Sequence, residues 1–126
     1  MSVRPEDPGP SPVRDLDALR DRLRAFAAAR DWERFHSPKN LATALIVEAA
    51  ELLEHFQWLT EEQSRALPPE TKAEVATELA DVLLYLVRLA DQLGIDLHAA
   101  AVAKIAANER KYPADRVRGS ARKYNR

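Results

Sequence analysis

Residues 70–93 read Glu70-Thr-Lys-Ala-Glu-Val75-Ala-Thr-Glu-Leu79-Ala-Asp-Val-Leu-Leu-Tyr85-Leu-Val-Arg-Leu-Ala-Asp-Gln-Leu93. Val75, Leu79, Val82, Leu83, Leu86, Leu89 and Leu93 recur at steps of three and four, the spacing of a helical stripe. Pro68 and Pro69 precede the stretch, and Gly94 follows it as a left-handed C-terminal cap. The spacing predicts a helix over 70–93, and the rest of the chain follows the same rule. Leu16, Leu19, Leu23, Phe26 and Ala27 predict a first helix over about 15–30. After the short aromatic segment 31–36, Ser37-Pro38 reads as an N-cap followed by proline at the first helical position. The helix it opens is expected over about 38–58, with Leu41, Ala44, Leu45, Leu52 and Phe56 on its buried side. Residues 59–69 are polar and end in the two prolines, so they read as a loop. Asp96 can cap a fourth helix over about 97–111, carrying Leu97, Ala101, Val102 and Ile105, and Pro113 stops it. No stretch alternates with period two, and only three glycines serve tight turns. An all-α chain, folded as a four-helix bundle, is expected.

The chain has 126 residues, enough for one domain. Pro5, Pro8, Pro10 and Pro12 make residues 1–14 a flexible tail that cannot build a core. Residues 15–112 form the expected domain and 113–126 a flexible basic C-terminal tail. The charges, 19 Lys plus Arg against 20 Asp plus Glu, leave a net −1, which argues against a nucleic-acid partner. The chain has no Cys, which excludes disulfides, a thiolate zinc site and a cysteine nucleophile. No apolar run approaches the roughly 18–20 residues of a membrane span, and the N-terminus lacks the apolar core of a signal peptide. No membrane partner and a cytoplasmic location are therefore expected.

Two helical segments carry paired acids. The second has Glu48-Ala-Ala-Glu51-Leu-Leu-Glu54 and the third Glu78-Leu-Ala-Asp81. Residues three apart on a helix point the same way. Glu48 falls within the apolar stripe, three residues after Leu45, and Asp81 lies between Leu79 and Val82. A carboxylate on a buried face needs compensation. Yet no Lys or Arg occurs between Lys39 and Arg65, or between Lys72 and Arg88. Glu48, Glu51, Glu78 and Asp81 are therefore candidate ligands of a hard divalent cation, Mg²⁺ foremost and Mn²⁺ second. Such a cluster handles phosphates, and one carboxylate can take the proton of an attacking water.

These residues resemble a known family. Glu48-x-x-Glu51, 26 intervening residues and then Glu78-x-x-Asp81 is similar to the motif of the all-α nucleoside triphosphate pyrophosphohydrolases, the MazG-like superfamily. Within it the chain most resembles the small dCTP-hydrolysing branch. The words Arg30-Asp-Trp-Glu-Arg-Phe-His36, Pro38-Lys-Asn-Leu41, Glu51-Leu-Leu-Glu-His-Phe-Gln-Trp58 and Asp81-Val-Leu-Leu-Tyr-Leu86 carry the likeness. So do Lys104, Asn108, Lys111-Tyr-Pro113 and Arg118-Gly-Ser-Ala-Arg-Lys-Tyr124. The similarity covers about residues 16–124. The resemblance implies Mg²⁺-dependent hydrolysis between the α and β phosphates, giving a nucleoside monophosphate and pyrophosphate. It implies metal binding by Glu48, Glu51, Glu78 and Asp81, with Glu48 or Glu51 as base. Tyr85, Lys104 and Asn108 would contact substrate, and Trp32 and Trp58 would form the base pocket. A homotetramer built as a dimer of dimers is implied, and dCTP or a modified dCTP as substrate, with dUTP, dTTP or a broad dNTP range as the alternative. The family often has Gly inside the first acidic motif, where this chain has Ala49 and Ala50.

Other residues join the candidate set. His36 could hydrogen-bond a base or a phosphate. Lys104 shares a helix side with Leu97, Ala101 and Asn108, an unusual place for a lysine without a role. The basic run from Arg116 to Arg126, with Arg118 and Lys123, is either solvated or folded over a triphosphate or a neighbouring subunit. Two rival readings remain. A di-iron bundle needs two Glu-x-x-His motifs on separate helices, and only Glu33-x-x-His36 occurs. A non-catalytic helical adaptor explains the amphipathic helices but not the uncompensated acids.

Overall fold

The computed structural model describes residues 15–121. The order is α1 (Leu16–Ala29), a 3-10 turn (Glu33–Phe35), α2 (Pro38–Glu54), α3 (Glu61–Ser64), α4 (Pro69–Gln92), α5 (Leu97–Lys111) and α6 (Ala114–Val117). No strand occurs among the described residues, so the fold is all-α. The chain divides into two compact units, the first ending at Gly94 and the second beginning at Ile95.

In the first unit α4 packs against both α2 and α1. Local chemistry sets where these helices begin. The Asp15 carboxylate accepts from the Ala18 N–H at 2.7 Å and opens α1. Ser37 Oγ accepts from the Asn40 N–H at 3.2 Å, and Pro38 occupies the first turn of α2. Asp31 takes a left-handed conformation with φ 54°, one that aspartate tolerates better than most residues. It redirects the chain between α1 and Trp32, whose N–H returns to the Ala27 carbonyl at 2.9 Å. α4 ends where expected: Leu93 caps it and Gly94 follows with φ 68°. Among the described residues the buried apolar side chains are few, namely Ala27, Leu41, Val75, Val87 and Ala90. Leu79, Leu83 and Leu86 of α4, and Ile46 and Leu53 of α2, stay exposed.

Two boundaries in this unit differ from expectation. α2 stops at Glu54 rather than near 58. Beyond it the N–H groups of His55 and Phe56 turn to carbonyls three residues back, tightening the chain into successive turns. The segment 59–69 is not all loop, because Thr60 and Gln63 form a reciprocal capping box that closes the single turn of α3.

In the second unit Asp96 Oδ1 accepts from the Ala99 N–H at 3.0 Å and starts α5, as expected. Pro113 stops α5 and also opens α6, placing a helical turn in a segment that reads as a tail. No residue of α5 or α6 is fully buried.

Candidate metal and nucleotide site

The packing of α2 on α4 brings the two acidic pairs together. One carboxylate oxygen from each of Glu48, Glu78 and Asp81 lies within 4.8 Å of the others. Glu51 stands beside this trio, within reach of a shared proton with Glu48 and with Glu78. All four side chains are half-buried. Carboxylates can share a hydrogen bond only when one of them carries a proton. Accordingly Glu48 is pushed up to about 7 by its hydrogen bond with Glu51, then by burial and by the charges of Glu51, Asp81 and Glu78. Glu78 is also raised, mainly by burial and then by Glu51. Its Oε2 is buried without a hydrogen-bond partner among the described residues. A buried acceptor with nothing to accept from, among three further carboxylates, fits an all-oxygen divalent-cation site. The residues present could thus hold a metal ion.

Asp81 belongs to a second feature as well. It lines a pocket of about 280 Å³ whose other walls include Leu23, Phe26, Trp32, His36, Tyr85 and Arg88. Aromatic and aliphatic walls with a few polar groups are the usual build of a small-molecule site. Phe26 and Trp32 meet edge to face, with ring centroids 5.7 Å apart. The turn through Asp31 and the 3-10 segment carries Trp32 and His36 to this pocket. A larger cavity, about 550 Å³, lies within the second unit against Arg110, Lys111 and Arg116. It has no acidic residue in its lining, whereas the smaller pocket reaches the acidic cluster through Asp81.

Beneath the pocket runs a chain of charged hydrogen bonds. The Arg88 guanidinium is only 5% exposed. Its Nε–H donates to His36 Nδ1 at 3.1 Å and its Nη1 to Asp91 Oδ2 at 3.2 Å. Arg24 of α1 donates from Nε to the same Asp91 oxygen at 2.7 Å. Asp91 is held below the usual carboxylate range, chiefly by its hydrogen bond with Arg24. His36 is lowered by burial and then by the Arg88 charge.

The structure thus unites Glu48, Glu51, Glu78 and Asp81, and places Trp32, His36 and Tyr85 around one pocket reached by Asp81. Trp58 lies in the turns after α2, 86% exposed. Lys104 and Asn108 sit one turn apart on α5, both exposed, and Arg118 follows α6, exposed. Lys123 lies outside the described residues. The sequence reading missed Arg88, which served only to mark the end of a cation-free interval. The available signal was a single arginine inside the apolar run Leu83–Ala90, three residues after Tyr85.

The pattern of the MazG-like family matches residues 44–126, a range that takes in both acidic pairs. The chain is 47% identical over 116 residues to dCTP pyrophosphatase 1 of Mus musculus, covering 90% of this chain and 68% of that protein. To dCTP pyrophosphatase 1 of Homo sapiens it is 45% identical over the same coverage. A crystal structure of a pyrophosphatase from Archaeoglobus fulgidus superposes with a TM-score of 0.73 at 42% identity, over 81% of this chain and 95% of that one. An all-α scaffold that sets two acidic helix pairs face to face, with near-half identity to such relatives along most of its length, places the chain in the MazG-like family.

Proposed function

We propose that the chain hydrolyses a deoxynucleoside triphosphate, dCTP or a modified dCTP, to the monophosphate and pyrophosphate with Mg²⁺ at the acidic cluster. The observation that carries this reading is the buried, unpartnered Glu78 Oε2 beside the carboxylates of Glu48 and Asp81. Glu48, Glu78 and Asp81 would hold the ion. When bound it would neutralise charge that builds on the phosphates and make a bound water more acidic.

The chain's own residues have separable tasks in this reading. Glu51 stands outside the three-oxygen cluster but within hydrogen-bond reach of two of its members, so it is the carboxylate best placed to take the water's proton. Trp32 and Tyr85 offer ring faces to a base, and His36 a polar edge. Trp58, Lys104, Asn108, Arg118 and Lys123 are proposed as further nucleotide contacts, on the strength of family likeness. The exposed apolar side chains of α2 and α4 support self-association, and a dimer of dimers is the proposed assembly.

The test is pyrophosphate release with Mg²⁺ across canonical and cytosine-modified dNTPs. dCTP or a modified dCTP is expected to lead, and absence of release from every nucleotide refutes the reading. Glu51→Gln is expected to keep metal binding by calorimetry while losing turnover. Glu48→Gln should lose both.

A further inference from the structure

Arginine carries only donors and does not deprotonate in proteins. The Nε–H of Arg88 therefore donates to His36 Nδ1, and that nitrogen holds no hydrogen. A neutral imidazole has one N–H, so the hydrogen sits on Nε2. Arg88 has little freedom to relax this arrangement. It is buried, its Nη1 is tied to Asp91 of α4, and Asp91 is tied in turn to Arg24 of α1. Its Nη2 is buried with no hydrogen-bond partner among the described residues. A second proton on His36 would set an N–H against the Arg88 N–H and a positive charge against the guanidinium. Of the other charged groups nearby, Glu33 of the 3-10 turn opposes this effect and does not cancel it. Asp81 lines the same pocket from α4. No hydrogen bond among the described residues occupies Nε2.

Resting on the nucleotide reading above, we propose that Arg88 is a positioning residue. It locks His36 as a neutral, single-tautomer ring whose Nε2–H serves as a fixed donor to an acceptor atom of the base, a keto oxygen or a bare ring nitrogen. Cytosine presents both kinds of acceptor side by side, at O2 and N3. A ring free to flip its proton could meet such an edge with either a donor or an acceptor. The locked ring meets it only with a donor.

Two measurements on the full chain test this. Long-range ¹H–¹⁵N correlation spectra of the nucleotide-free protein report the His36 tautomer directly. The wild type is expected to show the hydrogen on Nε2 at pH 7 and below pH 6.5. Arg88→Lys, which can only donate, should retain that state. Arg88→Met should let the ring titrate near the ordinary histidine value of about 6.5. In steady-state kinetics with dCTP, Arg88→Met should raise KM about tenfold with kcat nearly unchanged, as expected for one lost hydrogen bond in a desolvated site. Should Arg88→Met fail to fold, His36→Asn carries the test, because its side-chain oxygen can still accept from Arg88 while the Nε2 donor is gone. That variant should melt like the wild type and show the same rise in KM. A wild-type ring protonated on Nδ1 or doubly protonated at pH 7 overturns the proposal. So does an unchanged KM in His36→Asn. A wild type that hydrolyses no nucleotide refutes the function and the base-reading role together, whereas a normal wild type with an indifferent His36→Asn refutes only the latter.

Discussion

Glu48 shows how a single side chain can report on the whole site. Its carboxyl is pushed from an ordinary value of 4.5 to about 7 in the folded protein. Between those values the folded state binds the proton more readily than the unfolded chain does, so by linkage stability falls as pH rises through the window. The contribution is complete below the unfolded value and gone above about pH 7. Glu78 shifts in the same direction. Metal-free protein is therefore expected to melt lower at pH 8 than at pH 5.5, and Mg²⁺ should raise the melting temperature more at pH 8, where no protons need displacing. Thermal scans in chelator and in Mg²⁺ check both statements. Glu78→Gln should raise the metal-free melting temperature at pH 8 and abolish the response to Mg²⁺. At this scale the acids were legible from sequence, because missing cations are visible in a string of letters. The Arg88–His36 contact was not, since it joins residues 52 apart and depends on where the Asp31 turn delivers the imidazole.

Helices whose ends carry strong chemistry were legible. Asp15, Ser37-Pro38, Gly94 and Asp96 mark boundaries that the structure reproduces. The end of α2 was hidden because Leu53, Phe56 and Leu59 continue an apolar pattern through a segment whose backbone has left the helix. α3 was hidden because four residues carry no period, although Thr60 and Gln63 spell out its capping box. Two predictions belong here. Ser37→Ala should destabilise the protein by about 1 kcal/mol through loss of the α2 cap. Leu41→Ala should cost roughly 2–5 kcal/mol, because Leu41 is only 1% exposed and no solvent reaches the space it leaves. Denaturant titration of each variant at fixed pH separates these values. A Leu41→Ala cost as small as that of Ser37→Ala would mean that the α2–α4 contact is looser than its burial indicates.

For the molecule as a whole, the near-neutral charge total hides a division of labour. Residues 40–64 carry five acids and no Lys or Arg, while 116–126 carry five bases and no acid. The thin core has a consequence that composition could not announce. Ile46 is 67% exposed, Leu53 58% and Leu79 52%, more apolar surface than a chain of this size comfortably leaves to water. Sedimentation velocity is expected to show an oligomer, and the double variant Ile46→Glu, Leu79→Lys should shift it toward monomer and lower activity. The unequal exposure of the two tryptophans, 45% for Trp32 and 86% for Trp58, turns the protein into its own pair of optical probes. In a Trp58→Phe variant the remaining emission comes from the pocket, so stacking of a base on Trp32 would dim it. In Trp32→Phe the light comes from a ring on the surface, where acrylamide quenching would measure directly how far assembly covers it.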